Sequence, residues 1–252
     1  MIAITIVLGV VDFLLPRIPQ PRSYHLFADT RGLAGIPNFG DVVSNAGFAI
    51  VGVWGLTFLL RLDTGRRSQH FVDGRELWFY RIIFAGMLLT AFGSSYYHLQ
   101  PDNARLVWDR LPMTIVFMAL VGGLIAERIS LRVGLWLLPL LLLIGAGSVL
   151  QWYWSEVRGV GDLRFYATVQ AYAVLFLLLA LLLPARYTRS SDYLVIAGFY
   201  VIAKLLETYD RAVFRALHVV SGHTLKHIAA ALAGYWILRM LQRRRPLHAA
   251  IG

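Results

Sequence analysis

The stretch "VGLWLLPLLLLIGAGSVLQWY", residues 133–153, contains no charged side chain. A helix rises about 1.5 Å per residue, so about 20 apolar residues cross the roughly 30 Å hydrocarbon layer of a bilayer. This stretch therefore reads as a membrane-spanning helix. Working outward from it, apolar runs of similar character fall at residues 41–60, 77–98, 112–126, 165–184, 193–209 and 223–241. Of the 252 residues, 58% are hydrophobic and only 15% charged, and the charges cluster in short islands between the runs. A soluble domain of this length would instead spread charge over a water-facing surface.

The sequence thus predicts an all-α membrane protein: a seven-transmembrane-helix bundle with an additional N-terminal hydrophobic helix. That extra run, residues 1–15, lacks the basic start and small-residue cleavage site of a signal peptide, and it reads as an uncleaved membrane segment. The expected organisation is an N-terminal hydrophobic segment and outer linker (residues 1–27), a seven-helix domain (28–242) and a basic tail (243–252). Lys and Arg, counted over alternate loops, favour the side that holds the C-terminus, which places that end in the cytoplasm. The compact loops and absence of cysteine suit a bacterial inner membrane, with the polar sites described below facing the periplasm. The net charge of +10 is spread over helix ends and reads as topology signal and lipid head-group contact, not as a nucleic-acid surface.

Polar chemistry collects where several runs end. His98 closes the second of the seven runs. The last run opens with "HTLKH", which puts His223 and His227 four residues apart, about 400° around a helix and so on one face. Such a pair can chelate one ion, although the spacing alone fits equally two histidines making separate contacts. Alternation of the helices brings His98 and Asp109 to the depth of His223, and ionisable groups converging at that depth mark a functional site. With no cysteine, a metal must be held by His and carboxylate. Three neutral imidazoles leave a tetrahedral position open, the pattern of catalytic zinc. Ser94 lies one turn before His98 on the same face, and its hydroxyl either returns a hydrogen bond to its own helix or faces the site. In "WDRLPM", Asp109 reads as the cap of a helix with Pro112 in its first turn, or as a partner for Arg105 or Arg110.

These elements together resemble the alkaline ceramidases, within the seven-helix membrane hydrolases that include the progestin and adipoQ receptors. The resemblance rests on "GSSYYH" (93–98), "WDRLPM" (108–113), "SGHTLKHI" (221–228) and the upstream "NFGDVVSNAGF" (38–48), and it covers about residues 28–241. It implies that His98, His223 and His227 bind Zn²⁺ and that Ser94 and Asp109 are catalytic, Asp109 as general base and acid and Ser94 as a donor to the oxyanion. The implied activity is hydrolysis of the N-acyl amide of ceramide, or a related membrane lipid, to a fatty acid and a sphingoid base. Eukaryotic members of the family also bind Ca²⁺ through an acidic N-terminal stretch. Here "FADTRGLAGIPNFGD" (27–41) offers only Asp29, Asn38 and Asp41, with Arg31 among them, against the six to eight oxygens that Ca²⁺ takes, so calcium is not expected. Lys226 is expected to turn from a metal toward Glu207, Asp210 or the surface. "LQWYWSEVRG" (150–159) reads as an interfacial aromatic belt or a head-group platform.

Other readings fit the same residues. A seven-helix receptor would retain zinc without turning over any lipid, and a hydrolase could instead cleave another lipid amide or an ester. A metal transporter would need a second acidic or histidine cluster at the opposite membrane face, which the sequence does not suggest.

Overall fold

The computed structural model describes residues 2–247, so His248 and the end of the basic tail lie outside it. The chain is helical: α1 (Ile2–Leu14), α2 (Phe39–Val43), α3 (Ala46–Leu60), α4 (Thr64–His70), α5 (Leu77–Leu99), α6 (Asn103–Arg128), α7 (Leu131–Val157), α8 (Arg164–Ala180), α9 (Asp192–Thr208), α10 (Asp210–Leu217) and α11 (Gly222–Arg243), with short 3₁₀ turns at Arg22–His25 and Gly74–Glu76. Among the described residues, four segments are long and apolar enough to cross a membrane: Phe39–Leu60, Gly74–Leu99, Asn103–Arg128 and Leu131–Val157. The protein is accordingly a membrane protein. Helices α8 and α9 are shorter, and α11 carries Lys226, Arg239 and Arg243.

Helix α6 packs between α5 and α7, α3 packs on both α5 and α11, and α9 packs along α11. The seam between α8 and α9 is sparse. It is bridged by Tyr200, whose hydroxyl donates to Gln170 Oε1 at 3.3 Å and whose ring meets Phe117 edge-on. Helix α1 lies against α8. There its one charged residue, Asp12, accepts from the Thr168 hydroxyl at 2.8 Å, which satisfies a carboxylate within an otherwise apolar helix.

The helix expected to open at Pro112 begins nine residues earlier. Asp102, in extended conformation, caps it by accepting from the Arg105 amide at 2.7 Å, and "NARLVW" continues as helix without a break. Asp109 is therefore an interior residue of α6, not its cap, and Pro112 lies inside the helix. Proline has no N–H to offer the carbonyl four residues back, which here is Trp108. That carbonyl is turned against Gly93 of α5, where an added Cβ would sit 2.0 Å from the Trp108 oxygen. Gly93 thus lets α6 press its proline-freed carbonyl onto α5, and the two helices touch at Ser94 and Asp109.

Residues 15–38 form a strap across the end of the bundle where α5 finishes and α11 starts. The Leu163 amide donates to Ile18 O at 2.8 Å, the Gln20 amide to Glu156 at 2.8 Å and the Ala28 amide to Asp210 at 2.9 Å. His25 is held between the Tyr97 hydroxyl and Asn103, 2.9 Å from each.

The opposite end is sealed by a buried ionic network of two acids and an arginine. Arg244, just after α11, donates to Glu127 at 3.2 Å, to the Tyr80 hydroxyl at 3.0 Å and to His70 O at 3.0 Å, and its guanidinium stacks 3.9 Å from the Tyr187 ring centre. The Tyr187 hydroxyl donates to the Glu76 carboxylate and lies 2.8 and 2.7 Å from its two oxygens. These acids are neutralised by arginine, so they lock the end of the bundle and offer no path for a cation.

The α5–α6 contact makes a direct prediction. Gly93→Ala should lower stability by about 1–3 kcal/mol, the usual cost of overpacking. Gly147→Ala, where an added Cβ meets nothing within 4 Å, should not. Thermal unfolding of the purified protein in detergent reads both, and equal midpoints would refute the close approach.

Candidate metal centre

His98 reaches the centre from the last turn of α5, and His223 and His227 from the first two turns of α11. Helix α11 starts where it does because Ser221 caps it, its hydroxyl accepting from the Thr224 amide at 2.9 Å. Gly222 allows the start to nest against the α9–α10 junction, since an added Cβ would lie 2.3 Å from Leu206 O. The Asp210 carboxylate then accepts from the His223 amide at 2.8 Å and fixes the first turn of α11 in place. Asp41, fully buried in α2, accepts from the Thr224 hydroxyl at 2.7 Å and from the Ser221 hydroxyl at 3.1 Å.

The three histidines are buried, and each turns one ring nitrogen inward so that these atoms lie within 4.8 Å of one another. His98 Nε2 and His223 Nε2 are 3.3 Å apart. A tetrahedral ion with bonds of about 2.0–2.1 Å to imidazole nitrogen spaces its ligand atoms by about 3.3–3.4 Å. The donor set, three imidazoles without a thiolate, is one that zinc and neighbouring transition metals accept. Structure and donor chemistry therefore fit a metal ion, whose identity the geometry leaves open. Ring centroids lie 4.7 Å (His98 to His223), 4.9 Å (His98 to His227) and 5.0 Å (His223 to His227) apart, and Phe27 from the strap covers His98 and His223 at 4.7 and 4.6 Å.

At His227 an outer partner sets which nitrogen faces inward. His227 Nδ1 lies 2.8 Å from the Ser44 hydroxyl, which in turn donates to Asp41 O at 3.1 Å. This chain lets Nδ1–H donate outward and leaves the Nε2 lone pair for the centre. Asn38 fixes the end of α5 by donating to the His98 carbonyl at 2.8 Å. Neither Ser44 nor Phe27 stands out in the sequence, because each is an ordinary loop or apolar residue until the fold brings it to an imidazole.

Ser94 and Asp109 come together one turn before His98, with the Ser94 hydroxyl against the Asp109 carboxylate and both residues buried. Ser95, on another face, donates instead to Val42 O at 3.3 Å. Neither arginine suggested as a partner pairs with Asp109. Arg105 is bound to Asp102, and Arg110 donates to Gln20 at 2.7 Å while its guanidinium lies 4.1 Å from the Trp152 ring centre and 4.5 Å from that of Tyr166. Trp152 is accordingly a fully buried wall for Arg110 rather than part of a lipid-facing belt, a role left to exposed Trp154. Lys226 turns to Glu207 at 2.7 Å, which also binds Lys204, so its charge is answered close to the histidines.

The oxygens considered for calcium have separate tasks. Asp29 is ion-paired with Arg31 at 2.7 Å, and that guanidinium holds its carboxyl below the usual carboxylate range. Asn38 binds the His98 carbonyl and Asp41 the cap of α11. Among known proteins, no family model matches the chain, and no curated protein is significantly similar to it.

Elemental analysis of the protein purified without chelator should find a single transition-metal ion per chain, lost in His98→Ala, His223→Ala and His227→Ala. Ser44→Ala should weaken metal affinity by about 10–100-fold, the usual effect of removing an outer partner. Metal content independent of all three histidines would show that they do not form the site.

Proposed function

We propose that the protein is a zinc-dependent integral membrane amidase that hydrolyses the N-acyl amide of ceramide, or of a related lipid, to a fatty acid and a sphingoid base. The observation that carries this reading is the convergence of three buried imidazoles at one end of a membrane bundle, one helical turn from a buried Ser94 and Asp109. In this reading α3, α5, α6, α7, α8, α9 and α11 all span and α1 is the additional helix. The histidines then face the periplasm of a bacterial inner membrane, and the C-terminus is cytoplasmic.

His98, His223 and His227 would hold the ion. Zinc bound there supplies Lewis-acid polarisation of a carbonyl and a water acidic enough to attack at neutral pH. Asp109 takes the proton of the attacking water as its oxygen joins the acyl carbon, and returns it to the nitrogen as the C–N bond breaks. The amine therefore leaves neutral, and the acyl group leaves as a fatty acid. The Ser94 hydroxyl, resting against Asp109, holds that carboxylate in place and turns to donate to the carbonyl oxygen as charge develops there. Phe27 and the strap shield the centre from bulk water, which strengthens each of these interactions. The loose α8–α9 seam supports lateral entry of a substrate that already resides in the bilayer.

Asp109→Asn should keep the metal and lose roughly 10²–10⁴-fold in kcat, the usual contribution of a general acid–base group. Release of fatty acid from a panel of ceramides, N-acyl amides and esters reads this. Undiminished hydrolysis in Asp109→Asn would refute the mechanism, and retained zinc without hydrolysis of any lipid would favour a receptor.

A further inference from the structure

Beside the histidines, the outer end of the bundle opens into a cleft of about 420 Å³ that reaches His223, with Phe27 of the strap and the α9–α10 junction in its lining. Four charged side chains line it, and two of them are fully engaged. Asp210 accepts from the His223 amide through one oxygen and from the Ala28 amide through the other. Glu207 is bound by Lys204, Lys226 and the Tyr24 hydroxyl. The other two, Arg211 and Arg215, are exposed and have no ion pair or hydrogen bond among the described residues. Four residues apart on α10, they lie one turn from each other on a single face. The cleft therefore joins two unanswered cations to the metal centre.

We propose that this cleft is a head-group subsite for an anionic lipid, whose phosphate or carboxylate oxygens Arg211 and Arg215 bind while the acyl amide lies at the His223 end. As a substrate subsite this rests on the amidase reading, whereas the anion site itself does not. Guanidinium groups present paired donors that match phosphate and carboxylate oxygens, and an uncharged head group would leave both arginines unused. The preferred substrate is then an N-acyl lipid with a negatively charged head group, in preference to neutral ceramide.

Binding can be read without turnover. In neutral detergent, dodecyl phosphate should raise the unfolding midpoint of the wild type, dodecylphosphocholine should not, and Arg211→Gln/Arg215→Gln should abolish the shift while unfolding normally without ligand. An equal shift in the double variant would overturn the site. In turnover, the variant should raise KM about tenfold for ceramide 1-phosphate, a modest loss suited to exposed charges, with kcat and the neutral ceramide of the same acyl chain unaffected. Equal losses on both lipids would overturn the head-group role. Displacement of dodecyl phosphate by phosphatidylglycerol, with no preference for the anionic substrate, would assign the arginines to a bilayer lipid and overturn the substrate claim. The binding shift without hydrolysis of either lipid would sink the amidase reading and leave the anion site standing.

Discussion

Three imidazole nitrogens held together in a buried, apolar place form the constraint on which the rest of the structure depends. Lone pairs turned toward one another repel, and polar atoms removed from water are costly unless something answers them. A cation among the three rings answers all of them at once. Around that point the fold supplies only what is needed to hold it: the Ser221 cap and Asp210 fix the start of α11, Asn38 fixes the end of α5, and Ser44 orients His227. None of these residues need touch a metal, and each determines where a ligand nitrogen points.

The two ends of the bundle treat buried charge in opposite ways. At the far end Glu76, Glu127 and Arg244 neutralise one another within a cage of tyrosines, which ties the C-terminal segment to α5, α6 and α9. At the histidine end the acids are dispersed: Asp41 and Asp210 serve caps, Glu207 neutralises lysines, and Asp109 rests against Ser94. In the proposed reaction Asp109, which no arginine pairs, is the carboxylate that moves the proton. The close contact of Gly93 with the Trp108 carbonyl links this chemistry to the packing, because it brings Asp109 against α5.

Much of this was legible in the sequence. Four of the apolar runs announce spanning helices by length, and His223, His227, His98 and Ser94 can be placed by helical period and by the ends of their runs. What could not be read depends on contacts far apart in the chain. The start of α6 was misplaced because Pro112 looks like a first-turn proline, and only Gly93, in another helix, explains how it fits an interior turn. Trp152 looks like an interfacial residue until Arg110 is found stacked on it. Arg244 looks like part of a basic tail until Glu127, from a distant segment, is seen beside it.

X-ray absorption at the zinc edge, on protein purified without added metal, probes the central claim most directly. Three imidazole nitrogens and one oxygen ligand at about 2.0–2.1 Å are the expected shell. The account would be contradicted by a protein that carries no metal, or by a shell that survives unchanged when His98 is replaced.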